Sequence, residues 1–422
     1  MNTKKQNYTL PIIMMFALFF MIAFVTGLQN PMGIIIKNQF DTSNLLSQLG
    51  NAATFIAYAF MGIPAGLLLK RIGYKKTALA AICVGFTGVG VIYISGLMGN
   101  FGIYLAGAFI SGFSMCMLNT VVNPMLNTLG GGGNKGNQLI QLGGALNSIG
   151  ATIVPVLLGA LMGNAAQAQI SDAAPALILA MGIFVLTFLV LFFVNIPEPH
   201  IAQKSNTPET SDTHSPLSFR HFTLGAIAVF IYVGVEVSIP NITNLFMTTD
   251  LAIDTATAGT VVGTYWFLML IGRLIGASIG SKISGKTMLT FTTSIALILV
   301  LLAIFCPMSM VNMPVFKSDI SIGMADVPLN VLFLILCGLC TSVMWGSIFN
   351  LAVEGLGKYT ATASGIFMVM VCGGGILPLI QGAVADNGGF LSSFWVIFVG
   401  IAYILWYALF GSKNINKNIV TN

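Results

Sequence analysis

Charge is what this chain has least of. Its 422 residues include 17 Lys and Arg, 12 Asp and Glu and 3 His, so 7% are charged while 56% are hydrophobic. Soluble domains carry about a quarter charged residues, which excludes a soluble enzyme or binding module. Histidine is scarcer still. His200, His214 and His221 all lie in or at the edge of one polar stretch, which leaves no histidine inside an apolar run to relay protons. Histidines so spaced make no metal site. The six cysteines (Cys83, Cys116, Cys306, Cys337, Cys340 and Cys372) fall within or at the ends of apolar runs. Cys337 and Cys340 form a CxxC, a spacing used in metal and redox sites. With no second CxxC and no histidine nearby, it reads as two small residues one turn apart on a membrane helix. Neither a metal nor another cofactor is expected. A nucleophile elbow and an acid pair are also missing, so no enzyme is expected. The net charge of +5 comes from loop lysines and implies no nucleic-acid partner.

Long apolar runs are what the chain does have. Runs of about 20 residues, each enough to cross a bilayer core of roughly 30 Å, recur from end to end. A porin-type barrel would show short alternating segments instead. Breaking the chain at charged or Gly/Pro/Asn-rich punctuation gives twelve runs, near 10–36, 47–69, 77–97, 101–126, 138–163, 174–196, 221–248, 256–281, 287–306, 328–351, 359–385 and 389–411. The first, from Leu10 to Ile36, is too long for a cleavable signal peptide and lacks a small-residue cleavage site, so it is expected to be the first span. The expected fold is all-α and integral to a lipid bilayer, with twelve transmembrane helices. If the N-terminus is cytoplasmic, 14 of the 17 Lys and Arg lie in cytoplasmic segments or at their edges. Only Lys37 and Lys317 fall outside, and Arg273 lies within a span. The positive-inside rule then places both termini in the cytoplasm.

Residues 197–220, "PEPHIAQKSNTPETSDTHSPLSFR", are the longest polar stretch. Rich in Pro, Ser and Thr and without apolar periodicity, they read as a flexible cytoplasmic linker. They divide the chain into a six-helix bundle over 1–196 and another over 221–422. The halves echo one another. "GATIVPVLLGALMGN" (150–164) lies over "GGGILPLIQGAVADN" (373–387) at a constant offset of 223, with Gly150/Gly373, Pro155/Pro378 and Asn164/Asn387 among the identities. A weaker echo at offset 210 pairs Gly66 with Gly276 and Lys76 with Lys286. At that same offset Pro240 and Asn241 fall on Asn30 and Pro31, so each half has a proline-interrupted, amide-bearing first helix. Parallel repeats related by an axis along the membrane normal are a transporter architecture, with substrate bound midway between the halves. Irregular backbone at membrane depth is tolerated where it lines a cavity, so spans 1 and 7 are expected to face each other across one.

Several segments carry a resemblance. "GIPAGLLLKRIGYKKTAL" (62–79) is a form of the loop motif of the major facilitator superfamily. "LNTVVNPMLNTLG" (118–130), "ALNSIG" (145–150), "LIGR" (270–273) and "GGGILP" (373–378) together resemble its fucose–galactose–glucose:proton symporter branch. The likeness runs from span 1 to span 11. It implies a twelve-helix, two-bundle alternating-access fold and monosaccharide uptake across a bacterial inner membrane, with a cation, H⁺ or Na⁺, as cosubstrate and a monomer as the working unit. Two departures bear on mechanism. The branch has an Asp where Asn30 stands and a Glu where Asn119 stands, the carboxylates it uses for proton coupling and substrate. Amides bind hydroxyls but do not titrate, so coupling through these two positions is excluded. Asn147 matches the branch's sugar-contacting Asn and is carried over as a ligand residue. An uncoupled sugar facilitator, or an exporter of another small solute, remains the alternative.

Two ionisable residues sit well inside spans, Glu236 in "GVEVSIPN" and Arg273 in "LIGRLIGAS". Intramembrane charge is costly and by default functional. For Arg273 the expectation is an inter-helix or gate salt bridge, with Glu354 as its partner or as a plain capping charge. Glu236 has two readings, a carboxylate tied to backbone groups released by Pro240, or the cation-coupling group that replaces the two missing acids. Protonated it suits a proton carrier, and ionised beside freed carbonyls it suits Na⁺. Sugar binding calls for amides and rings. Gln29, Asn30, Asn119, Asn123, Gln141, Asn147, Asn241 and Asn350 are amides within spans, and Tyr265, Trp266 and Trp345 supply the rings. Amides left unpaired in hydrocarbon are expensive, so eight of them call for a watery cavity. Asn30, Asn119, Asn147 and Glu236 are the leading substrate residues.

Overall fold

The computed structural model describes residues 8–40, 49–162, 169–198, 214–253, 255–317, 321–416, 419 and 421. Helix dominates because a chain in hydrocarbon must bond every backbone N–H and C=O within its own segment. Helix α1 (Thr9–Phe40) is followed by α2 (Leu49–Met98), α3 (Phe101–Leu129), α4 (Gly133–Met162) and α5 (Ala174–Phe193). Next come α6 (Arg220–Leu245), α7 (Thr255–Ile279) and α8 (Gly285–Phe305). The last are α9 (Leu329–Thr341), α10 (Met344–Val353), α11 (Thr360–Met370), α12 (Gly373–Gly388) and α13 (Phe390–Trp406).

Helix α2 has 50 residues, about 75 Å of helix and twice what one crossing needs. It breaks at Gly73, whose φ of 85° suits glycine alone, in the middle of the charged loop "KRIGYKK". The two arms of α2 are therefore separate spans. Conversely, α9 and α10 make one span interrupted at Ser342 and Val343, and α11 and α12 make another interrupted at Val371 and Cys372. Counted this way, the helices give the twelve crossings expected. The interruptions in the tenth and eleventh spans have no counterpart in the hydropathy pattern. Several calls fall outside the described residues: the side chains of Gln29, Asn30 and 151–162, the segment 163–168, and 199–213 of the expected linker.

One element was not expected. Residues 307–327, between the ninth and tenth expected runs, were given no element, yet β1 (Met310–Phe316) and β2 (Ile322–Pro328) pair as an antiparallel hairpin. Phe316 stacks on Phe267 of α7 with ring centroids 4.2 Å apart, and its N–H donates to Thr264 Oγ1 at 2.9 Å. Alternate residues Met313 and Val315 are buried. The period-two pattern is only a few residues long and carries a proline, so it hides in the sequence.

The loop at Gly73 is held from a distance. The Glu198 carboxylate, just past α5, accepts the N–H groups of Tyr74 and Lys75 at 2.7 and 2.9 Å. These are the first free donors of a new helical arm, where a negative charge also meets the positive end of the helix dipole. Burial raises the Glu198 carboxyl above the ordinary 4.5, while the two N–H donors and the charges of Lys76 and Lys75 pull the other way. Its folded value lies above its unfolded one, so its contribution to stability is full at low pH and falls as pH rises through the folded value. Glu198→Ala is expected to lower stability by about 1–3 kcal/mol, because two N–H groups lose their acceptor. Thermal unfolding of the purified protein in detergent checks this, and an unchanged melting temperature contradicts it.

The echoed segments do the same packing job in each half. A Cβ at Gly150 of α4 would stand 2.7 Å from Ala23 of α1, and one at Gly373 would meet the Phe230 carbonyl of α6. Span 5 thus nests on span 1 as span 11 nests on span 7. The first six spans meet the last six chiefly where the first arm of α2 crosses α11 and where α4 crosses α7. Glycines make the first crossing close. A Cβ at Gly365 would lie 2.6 Å from the Gly62 carbonyl and 2.8 Å from Gly66 Cα.

Candidate functional site

Proline decides where backbone acceptors open in this membrane protein. Pro240 has no N–H, so the carbonyl four residues earlier, that of Glu236, has no partner within α6. The Tyr265 hydroxyl donates to it at 3.3 Å and also lies 3.1 Å from Thr341 Oγ1. Pro124 of α3 likewise releases the Thr120 carbonyl. Ser364 Oγ of α11 donates to that oxygen at 2.9 Å, which joins the two halves of the chain. At the break before α10 the Val343 carbonyl accepts both the Ser347 N–H at 3.2 Å and Gln141 Nε2 of α4 at 2.8 Å.

The charged pair is the centre of the site. Arg273 Nη2 lies 3.3 Å from Glu236 Oε1, with 13% and 16% of the two side chains exposed. Arg273 was expected to meet Glu354 or leave it as a capping charge. The structure gives it Glu236 instead. Glu354 is exposed at the end of α10, its carbonyl 2.9 Å from His221 Nε2. Nor is the Glu236 carboxylate tied to the backbone that Pro240 frees. The carbonyl goes to Tyr265 and the carboxylate to Arg273. The Tyr232 hydroxyl, one turn earlier on α6, lies beside the carboxylate. Arg273 uses its remaining donors on the other half, where Nη1 bonds the Gly144 carbonyl at 3.2 Å and Ser148 Oγ at 2.5 Å.

From this pair a polar path runs across the molecule. The rings of Tyr232 and Trp345 are 6.3 Å apart. Trp345 Nε1 donates to Asn123 Oδ1 at 3.1 Å, from α10 to α3 and so across the halves. Asn123 Nδ2 donates to the Asn119 carbonyl, and Asn119 Nδ2 to the Tyr58 hydroxyl, each at 2.9 Å. Asn147 Nδ2 donates to the Phe19 carbonyl of α1 at 3.2 Å. Each donor named here already serves the fold, and the Asn119 and Asn147 side chains remain partly exposed.

Not every candidate joins this group. Asn241 is exposed, and Trp266 is 40% exposed with its ring edge-on to Tyr265. Asn350 is buried in α10, outside the path described. Cys337 and Cys340 are unbridged. The sequence reading missed Tyr58, Tyr232, Gly144, Ser148 and Thr341. Tyr232 had a usable signal, since a residue four before an intramembrane acid on a helix faces it. Thr120 had one too, four residues before Pro124.

The geometry now has a family to be set beside. The model of the Major Facilitator Superfamily matches residues 15–377. The chain belongs to the Major Facilitator Superfamily. It is a multi-pass membrane transporter and not an enzyme. It is 30% identical to a glucose/galactose transporter of Brucella abortus, over 98% of this chain and 97% of that one. It is 23% identical to the L-fucose-proton symporter of Escherichia coli, over 92% and 89% of the two chains. Among solved structures it superposes on FucP in the outward conformation with a TM-score of 0.83, covering 97% of this chain and 100% of that one at 21% identity. The proton:xylose symporter XylE follows with a TM-score of 0.70 at 13% identity, covering 96% of each chain. At such identities the likeness is one of fold.

Proposed function

We propose that this protein imports a monosaccharide, a hexose such as glucose, galactose or fucose, together with H⁺ or Na⁺ by alternating access. The Glu236–Arg273 pair carries the reading. It is the one acid–base pair among the described span residues, and it stands beside the rings of Tyr232 and Tyr265 with its arginine bonded to the opposite half. Coupling needs a group whose charge changes when the cation binds, and Glu236 is that group. The names of the relatives support a hexose as cargo and, in the fucose symporter, a proton as partner. The bundles 1–196 and 221–422 are the two rocking bodies, joined by the cytoplasmic segment 197–220. The lysine and arginine distribution supports cytoplasmic termini in a bacterial inner membrane.

Uptake of labelled hexoses into proteoliposomes, with proton and Na⁺ gradients imposed separately, tests this. Accumulation of one sugar with one cation supports it. Downhill flux alone marks a facilitator, and no hexose flux at all rejects the cargo. Asn119→Ala and Asn147→Ala are each expected to weaken sugar binding by about 1–3 kcal/mol, with little change in abundance, because buried hydroxyls lose a partner. Equilibrium binding of the transported hexose to the purified variants gives the answer, and wild-type affinity in both removes them from the site.

A further inference from the structure

We infer that the second half of the chain holds the phosphate of an anionic glycerophospholipid at a place where the first half uses its own carboxylate. Two otherwise matching corners of the protein differ in this one group. In the first half, Lys75 lies in the first turn of the second arm of α2, and its Nζ donates to the Phe192 carbonyl at the end of α5 at 2.8 Å. In the second half, Lys286 lies in the first turn of α8, and its Nζ donates to the Leu409 carbonyl just past α13 at 3.0 Å. Span 3 is tied to span 6 as span 9 is tied to span 12, each time by a lysine on a carbonyl that its own helix end leaves free. The chain past α5 then returns Glu198 to the start of the helical arm, where its carboxylate takes the N–H groups of Tyr74 and Lys75. The chain past α13 returns no acid. Residues 412–422, "SKNINKNIVTN", contain lysine but neither Asp nor Glu.

A cavity of about 610 Å³ lies between Lys286, Leu409 and the segment past α13, the place that corresponds to Glu198 in the other half. Its charged lining is Lys286, Lys413 and Glu354. Glu354 forms no ion pair with either lysine among the described residues, so it does not stand in for Glu198, and two ammonium groups against one carboxylate leave a positive excess. Lys286 also lines a second cavity of about 440 Å³, with Thr287, Thr290, Phe291 and Ser294 along α8. Phe291 of the second cavity and Phe410 of the first are 67% and 65% exposed, on spans whose uncovered faces meet lipid. A phosphate in the first cavity meets both lysines while its acyl chains run over Phe291 and along α8. A free phosphate ion has no use for that apolar surface. Basic pockets between spans at a membrane surface hold acidic headgroups, and lysine stems lie along apolar surface while the ammonium reaches the charge. A choline or ethanolamine headgroup would bring a further cation to two lysines, so the acidic headgroup is favoured. Bound there, the lipid ties α8 to the end of α13 as Glu198 ties the Gly73 corner to the end of α5.

Binding of dioleoyl phosphatidylglycerol to the full-length protein in detergent, read by native mass spectrometry beside dioleoyl phosphatidylcholine, tests this. Phosphatidylglycerol is expected to bind more tightly. Lys286→Gln and Lys413→Gln are each expected to weaken it about five-fold, the worth of roughly one basic residue near an anionic membrane surface. Glu354→Gln removes the opposing charge and is expected to strengthen it. Lys76→Gln, on the matching corner that Glu198 already fills, is the control, with a change below about two-fold expected of a surface charge. All four side chains are exposed, so the variants fold. An equal loss in Lys76→Gln would mean a general attraction of lysines for acidic lipid and overturns the inference. Unchanged binding in both Lys286→Gln and Lys413→Gln overturns it too, as does phosphatidylcholine binding as tightly as phosphatidylglycerol. Inorganic phosphate that binds with the lipid's affinity marks a free-anion site and overturns the lipid assignment.

Discussion

Glu236→Gln is expected to abolish gradient-driven accumulation of sugar while exchange or downhill flux of the same sugar continues. Concentrative uptake needs one group that binds cation and sugar in linked equilibrium, so deleting it uncouples transport without closing the sugar's path. Asn30 and Asn119 do not titrate, and His221 sits in the first turn of α6 rather than at mid-membrane. Glu236 is left as the acid at that depth. The glutamine keeps the shape and one acceptor, and Arg273 retains Gly144 and Ser148 as partners. Taking one charge from a buried pair costs about 3–5 kcal/mol, so the double variant Glu236→Gln with Arg273→Gln is the control for folding. It should recover abundance and still fail to accumulate. Proteoliposome uptake with and without a gradient gives the reading. Undiminished accumulation in Glu236→Gln would place coupling elsewhere, in backbone carbonyls that bind Na⁺.

Gly365→Val is expected to bring net transport to near zero in protein that still folds. A Cβ there would stand 2.6 Å from the Gly62 carbonyl and 2.8 Å from Gly66 Cα, and neither backbone atom can rotate aside. Overpacking against side chains costs about 1–3 kcal/mol because they yield. Two backbones that cannot yield must separate. The crossing joins the halves rather than building either one, so each bundle keeps its own packing while this closure between them is lost. About 5.5 kcal/mol inverts a two-state population from 99:1 to 1:99, so a clash that the closed crossing cannot absorb needs no more than that to empty the state that closes it. Initial uptake rates, with circular dichroism as the folding control, decide it. A variant that transports at wild-type rate would show that the crossing opens and closes without these glycines in contact.

Much of the membrane architecture was legible because it depends on local composition. Charge scarcity and run length follow from the cost of polar groups in hydrocarbon, and both survive any rearrangement of the helices. The corner at Gly73 was legible as a charged loop, and the helix breaks there. The hairpin over 310–328 was not, since seven-residue strands stand only when α7 supplies Phe267 and Thr264 to receive Phe316. The breaks at Ser342–Val343 and Val371–Cys372 were equally silent, because neither carries a proline or a charge.

The sequence by itself determined that this is a twelve-span membrane protein with a repeated plan, and that Glu236 and Arg273 lie at depth. It also determined that Pro240 and Pro124 each release a carbonyl four residues earlier, for a missing N–H is a covalent fact. Only the tertiary structure decided who receives these groups. Tyr265 takes the Glu236 carbonyl, Ser364 takes that of Thr120, and Arg273 pairs with Glu236 rather than Glu354. Partner choice is a matter of distance across helices. Residues 29, 37 or 244 positions apart meet only when whole helices have packed, and the glycines that set how closely they pack act through space, not along the chain.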